Sequence, residues 1–175
     1  MTTRAVSVLV IEDDSNYREL LQMALNEVAP HDVVHAVDDG VEAVAYLSGH
    51  GRYADRSMYP LPHYILTDLK MPRKDGFALL KELRSHPAWE WIPVVVLSSS
   101  SDGEDIRRAY RLGANAYHAK PGSFSGLRSL LGNLHPYWRS CLAGTVQRNN
   151  RPHASVSPHV TVGRREESHG KDARA

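Results

Sequence analysis

Carboxylates, hydroxyls and one lysine recur along this sequence at places where they could share a task. Glu12-Asp13-Asp14 form an acidic triplet after one apolar run, Asp68 and Ser98-Ser99 each follow a later one, and Lys120 stands immediately before Pro121. Brought together, three or four carboxylates repel one another and hold their protons more tightly, unless a cation neutralises them. The donors are all oxygen, with no Cys or His among them, so a hard cation is the natural guest. Mg2+ fits best, bound through Asp13 and Asp68 with Glu12 in support, and completed by waters and phosphate oxygens. Lys120 adds a counter-charge and Ser98 a small donor, which makes a receptacle for a tetrahedral anion around one carboxylate. This is phosphoryl chemistry: a carboxylate attacks phosphorus while metal and ammonium absorb charge on the equatorial oxygens.

Such a site requires a fold that gathers four distant points of the chain at one edge. The sequence alternates short apolar runs with helical periodicity, an order that predicts an α/β domain of five βα units around a parallel sheet with helices on both faces. Strands are predicted over residues 6–11, 33–36, 64–67, 93–97 and 116–119. The first helix is capped by Asp14 or Ser15 and carries Tyr17, Leu20, Leu21, Ala24, Leu25 and Val28 as one apolar stripe, closed by Pro30. Helices follow at about 41–47, 76–84, 102–112 and 123–142. The third turns Phe77, Leu80 and Leu83 inward and is stopped by Pro87, and Gly113 is placed to end the fourth. The fifth sets Phe124, Leu127, Leu131, Leu134, Trp138 and Cys141 on one face, with Pro136 expected to kink or interrupt it. The loop at residues 49–62, with Tyr53, Met58 and Tyr59, is long for such a fold; it is either a surface insertion packed by its own aromatics or a partner-binding segment. In a parallel sheet, ligands bind beyond the carboxyl ends of the strands. The acidic triplet follows the first strand, Asp68 the third, Ser98-Ser99 the fourth and Lys120-Pro121 the fifth, so all four converge.

Composition narrows the class. At 175 residues, with 42% apolar and 23% charged residues, the chain has the size and make-up of one globular domain and not of a collagen-like, wholly disordered or disulfide-scaffold protein. The single cysteine, Cys141, cannot form an intrachain disulfide, and the first apolar run is too short for a signal or a membrane span, so a cytoplasmic protein is expected. Of the 21 Lys/Arg and 20 Asp/Glu, six and three fall at residues 144–175, leaving a slightly acidic body. Arg107, Arg108 and Arg111 are diluted by Glu104 and Asp105, so no nucleic-acid partner is expected. Residues 1–143 are read as the domain and residues 144–175 as a disordered polar tail with no output domain. The tail's His153, His159 and His169 lack the spacing of a zinc site.

The residues that carry the chemistry resemble a known family, the receiver domains of two-component response regulators. The resemblance rests on Val8-Leu9-Val10-Ile11-Glu12-Asp13-Asp14, on Thr67-Asp68-Leu69-Lys70-Met71-Pro72-Arg73-Lys74-Asp75-Gly76, on the hydroxyl after Val94-Val95-Val96-Leu97, and on Lys120-Pro121. It implies a flavodoxin-like (βα)5 receiver fold with strand order 2-1-3-4-5. It also implies a phosphoacceptor signalling protein, not an enzyme, that assists its own phosphotransfer and dephosphorylation. By position Asp68 is then the phosphorylated aspartate, Asp13 a direct Mg2+ ligand, Glu12 a water-mediated one and Lys70 a ligand through its carbonyl. Ser98 senses the phosphoryl group, Lys120 bridges to it, Tyr117 is the aromatic that rotates with the switch, and Pro121 follows a cis bond.

A narrower likeness, to the single-domain regulators that serve phytochrome-type sensor histidine kinases, lies in Tyr46-Leu47, in Gly51-Arg52-Tyr53-Ala54 and in Pro72-Arg73-Lys74-Asp75-Gly76. It implies a sensor histidine kinase as phosphoryl donor, a downstream phosphotransfer protein as one kind of target, and a homodimer through the fourth and fifth helices, with Tyr110, Tyr117 and Trp138 as interface candidates. Lys70 departs from the Asn common in the family and puts a cation beside the phosphoryl group. Two rivals fail on single residues. An aspartyl-phosphate phosphotransferase or phosphatase needs a second acid two residues after its nucleophile, where Lys70 stands, and a flavin module would find its phosphate repelled by Glu12-Asp13-Asp14. The remaining alternative is a receiver that works as an interaction module without phosphorylation.

Overall fold

The computed structural model describes residues 5–141. The expected tail at residues 144–175 lies outside them. The elements, in chain order, are β1 (Ser7–Ile11), α1 (Ser15–Val28), β2 (Val33–Val37), α2 (Gly40–Ser48), a 3-10 turn (Gly51–Tyr53), β3 (Tyr64–Thr67), α3 (Gly76–Ser85), β4 (Val94–Ser98), α4 (Gly103–Arg111), β5 (Ala116–Ala119) and α5 (Phe124–Cys141). The five strands are parallel and lie in the order β2-β1-β3-β4-β5. This is the doubly wound, flavodoxin-like architecture, and β1 and β3 lie side by side at its centre.

Strand side chains alternate between the faces of a sheet, and the central strands bury both. Leu9, Ile11, Ile65, Val94 and Val96 pack with α2 and α3 through Ala43, Tyr46, Leu47, Leu79, Leu80 and Leu83. Val8, Val10, Tyr64, Leu66, Val95 and Leu97 face α1 and α5 through Leu21, Leu25, Leu127, Leu131 and Trp138. Each fully buried Leu or Val in these layers contributes about 2 kcal/mol relative to exposure. Asp14, Asp39, Asp75 and Asp102 cap α1, α2, α3 and α4, each carboxylate accepting from amides of the first turn. Capping carboxylates thus begin the helices at the sheet edge where the chemistry was expected.

Four expectations are corrected. Leu20 was placed on the buried stripe of α1 but is 37% exposed, because the turn set by the Asp14 cap leaves Leu21, Ala24 and Leu25 as the inward residues. On α5 the inward set is Leu127, Leu131, His135 and Trp138, whereas Cys141 is exposed. His135 is tolerated in the core because both ring nitrogens are engaged: Nε2 lies 2.7 Å from Asp32 Oδ2 and Nδ1 lies 3.0 Å from the Tyr64 hydroxyl. Trp138, read as an interface candidate, is buried beside Tyr64 and offers no surface. Pro136 does not interrupt α5; burial of His135 and Trp138 on either side holds the helix through the missing hydrogen bond.

The long loop is packed by its own aromatics. Tyr53 and Tyr59 meet at 5.2 Å, and Tyr46 joins them at 5.2 and 6.0 Å with the Tyr59 ring also against His35. Arg56 donates to the Tyr46, Leu47 and Tyr59 carbonyls, satisfying the C-terminal end of α2 from outside the helix. Gly49 ends α2 in the left-handed conformation at φ 70°. Met58, at 62% exposed, is the apolar residue the cluster leaves out.

Candidate functional site

The register of the sheet brings the acids together. Ile11 pairs with Thr67, so the residues that leave β1 and β3 do so side by side, and Asp68 N donates to Ile11 O at 3.0 Å. Glu12 and Asp68 are buried, at 1% and 5% exposure, and Asp13 is exposed. One carboxylate oxygen from each of Glu12, Asp13 and Asp68 lies within 4.8 Å of the others. Ser98 pairs with Ala119, which places Lys120 beyond the end of β4 as well as β5. The Lys120 backbone N–H donates to Ser98 O at 2.9 Å, and the Lys120 ammonium lies 2.8 Å from Asp68 Oδ2 and 2.9 and 2.8 Å from the two oxygens of Glu12. The sequence-predicted Glu12, Asp13, Asp68 and Lys120 therefore form one cluster, and three carboxylates against one ammonium leave two negative charges uncompensated.

Electrostatics follow from that burial. Loss of water pushes the Glu12 carboxyl above the usual carboxylate range, against the pull of Lys120. Burial alone would discourage the Lys120 charge, but hydrogen bonds to Asp68 and Glu12 more than offset it and hold the ammonium more strongly protonated than an ordinary lysine. Asp68 Oδ1 takes the Leu69 amide at 2.6 Å and the Lys70 amide at 3.4 Å, so one oxygen is fixed by backbone and the other faces Lys120.

The loop after β3 is held from behind. A Cβ on Gly76 would stand 2.3 Å from the Asp68 carbonyl oxygen, so only glycine permits the close return of the chain, sealed by Gly76 N to Leu69 O at 2.9 Å. Arg73 adopts a left-handed backbone at φ 61°, and its guanidinium pairs with the buried Asp39 carboxylate that caps α2. Gly40 N donates to Lys74 O at 3.2 Å. The turn between β2 and α2 thereby becomes a strut for the loop that carries Asp68.

The remaining predicted residues lie around this cluster. Ser98 is wholly buried at the end of β4, and its hydroxyl accepts from Ser100 N at 3.3 Å. Tyr117 is half-buried in β5 and donates from its hydroxyl to Ser100 O at 2.7 Å, which ties the expected switch aromatic to the loop after Ser98. Lys70 is exposed beside Asp68 and reaches it through the backbone amide. The expectation of a cis bond before Pro121 is corrected: every peptide bond among the described residues is trans. The two isomers of an X-Pro bond differ by only about 0.5 to 1 kcal/mol, so the pair Lys-Pro does not dictate one of them, and the trans chain already delivers Lys120 to both carboxylates.

Two residues join the site without having been expected there. Arg18 donates to Glu12 O at 2.6 Å and pairs with Asp38 at 3.3 Å, fixing the acidic turn from α1. The Tyr17 ring centroid lies 4.6 Å from Lys120 Nζ, a cation–π contact. Tyr17 occupied an apolar position in the helical stripe, and no spacing marks an aromatic that covers a lysine more than a hundred residues away.

The response regulator receiver domain family matches this chain over residues 8–131. Response regulator Rcp1 of a Synechocystis species is 32% identical over 132 residues, covering 75% of this chain and 87% of that protein. The crystal structure of the phosphorylated cyanobacterial phytochrome response regulator RcpA is similar at a TM-score of 0.71 and 37% identity, covering 79% of this chain and 96% of that one. The Mn2+-bound form of Rcp1 is similar at a TM-score of 0.68 and 30% identity, with the same 79% and 96% covered. The chain belongs to the response regulator receiver domains, the signalling proteins of two-component phosphorelays. No helix among the described residues is long and apolar enough to cross a membrane.

Proposed function

We propose that this receiver accepts a phosphoryl group on Asp68 from the phosphohistidine of a sensor histidine kinase and signals through the rearrangement that follows. The observation that carries this is the Lys120 ammonium held between Asp68 and Glu12, with Asp13 in the same ligand sphere. Asp68 Oδ attacks phosphorus, the phosphorus–nitrogen bond breaks, and the imidazole leaves and returns to its ordinary protonation equilibrium with water. The Leu69 amide fixes Asp68 Oδ1, so Oδ2 is presented in a set orientation beside Lys120. Lys120 lies next to that oxygen, where it would meet the negative charge of the incoming group.

The oxygen-only donor set and the two uncompensated charges fit a divalent cation, with Mg2+ the proposed one. Asp13 and Asp68 would bind it directly, Glu12 through water and Lys70 through its carbonyl. When bound, the cation supplies charge stabilisation to the phosphoryl oxygens. Ser98 would be drawn toward the phosphoryl group, and Tyr117 would give up Ser100 O as it turns. The same cluster would assist hydrolysis of the acyl phosphate, with the exposed Lys70 setting its lifetime.

The similarity to RcpA supports a kinase of the phytochrome type, hence a cytoplasmic place of action. The outputs proposed are a homodimer through the α4–α5 face, where Tyr110 is exposed, and onward transfer to a phosphotransfer protein. Intact-mass analysis after incubation with Mg2+ and a small acyl phosphate tests the reading. Wild type gains one phosphoryl mass and Asp68→Asn none; a sizing column on both locates the output in assembly. An unmodified wild type under conditions that preserve acyl phosphates overturns it.

A further inference from the structure

Tyr17 sits in the first turn of α1 with its ring half-buried and its hydroxyl fully enclosed. That hydroxyl has no hydrogen-bond partner among the described residues. A buried hydroxyl without a partner is costly and uncommon, and where one persists a ligand or an ordered water usually completes it. The ring that carries it lies against the lysine of the acid cluster, its centroid 4.6 Å from Lys120 Nζ. Burial, opposed by the Lys120 charge and aided by the Glu12 and Asp68 charges, keeps the phenol protonated to about 12. It is therefore a neutral O–H at working pH, able to donate to an anion without adding charge to an already acidic site.

Lys120 is held on two sides. Glu12 and Asp68 take its ammonium by hydrogen bonds, and the Tyr17 face closes a further direction, leaving the side chain 15% exposed. An ammonium restrained in this way cannot swing out to solvent when the charge on Asp68 changes.

Resting on the phosphoacceptor reading above, we infer that Tyr17 is a further residue of the site: its ring holds the Lys120 ammonium over Asp68, and its buried hydroxyl donates to the phosphoryl group that Asp68 carries. The ring acts through Lys120 and is positioning; the hydroxyl touches the transferred group.

Two substitutions separate these parts, Tyr17→Phe removing the hydroxyl alone and Tyr17→Leu removing ring and hydroxyl. Beryllium fluoride with Mg2+ serves as the phosphoryl mimic, its affinity being measured by titration on the full chain alongside thermal unfolding without the mimic. Tyr17→Phe is expected to weaken the mimic about fivefold, the worth of one neutral hydrogen bond, while leaving Tm unchanged or higher because an unpaired buried polar group has gone. Tyr17→Leu is expected to weaken it further and to slow phosphorylation by an acyl phosphate at saturating donor. A purely structural tyrosine would lower Tm and affinity together, so a weaker mimic without a lower Tm in Tyr17→Phe is the signature. If Tyr17→Phe binds the mimic as wild type does, the role of the hydroxyl is overturned, and if Tyr17→Leu matches Tyr17→Phe the role of the ring is overturned. A wild type that binds no mimic and takes no phosphoryl group instead sinks the phosphoacceptor reading itself.

Discussion

Glu12 is a carboxyl that burial makes reluctant to ionise, set where a second positive charge would make ionisation easy. The sign of its effect on stability follows. Its folded-state affinity for a proton exceeds that of the unfolded chain, so without metal its contribution is complete below about 4.5 and is lost as pH rises through the higher folded value. A divalent cation reverses this cost by favouring the ionised form. Thermal unfolding with and without millimolar Mg2+ should therefore show a gain in Tm that grows from pH 5 to pH 7, and a gain that is flat or falls over this range would contradict the placement of Glu12 at the cation. The cluster at this scale was largely legible: Glu12, Asp13, Asp68 and Lys120 are conspicuous by type and by position after apolar runs. Tyr17 and Arg18 were not, because their contacts, with Lys120 and with the Glu12 carbonyl, depend on three-dimensional proximity that helical spacing does not encode. Nor could the trans bond before Pro121 be read, since the isomers are so close in energy.

Among the elements, α2 and the loop behind it depend on one side chain. Arg56 supplies N–H donors to three carbonyls, two of them at the end of α2, while the Tyr46 hydroxyl donates to Pro60 O at 2.8 Å from within the helix. Replacing Arg56 by Met keeps the aliphatic stem but strands those acceptors, and should cost about 2 kcal/mol, read as a lower midpoint in urea at unchanged slope. A loss below 0.5 kcal/mol would show that water replaces the guanidinium without penalty. The strands were predicted to within a residue at each end, because turn residues and uninterrupted apolar runs bound them. The faces of α1 and α5 were less legible. A stripe drawn through Leu20 or Cys141 satisfies the period, but the turn that is buried depends on partners such as Asp32 and Tyr64, which give His135 a place in the core that its polarity alone would deny.

For the molecule as a whole, both core layers contain phenols whose ionisation burial resists. Tyr46 lies in one layer and is held to about 12, Tyr64 lies in the other and is pushed higher still, and Tyr17 borders the site at about 12. An acid whose folded pKa is raised contributes stability that is complete below its unfolded value, here 10, and is lost above it. Tm should hold up to about pH 10 and fall steeply toward 12, with phenolate absorbance appearing only as the chain unfolds; early, reversible phenolate absorbance from the folded protein would mean these rings are more open than the packing shows.

The group of buried Asp32, His135 and Tyr64 side chains with the half-buried Arg139 has another kind of consequence. Both Asp32 oxygens accept from Arg139, at 3.0 and 2.9 Å, and Oδ1 also takes Val6 N at 2.9 Å, so α5 is fastened at the end of the sheet opposite Asp68. Its other end begins just after Lys120, at Phe124. From His135 back to Phe124 is roughly 16 Å at 1.5 Å per residue. The helix is thus fastened at the end far from Asp68, and a small tilt about His135 would become a larger sideways travel at the end next to Lys120.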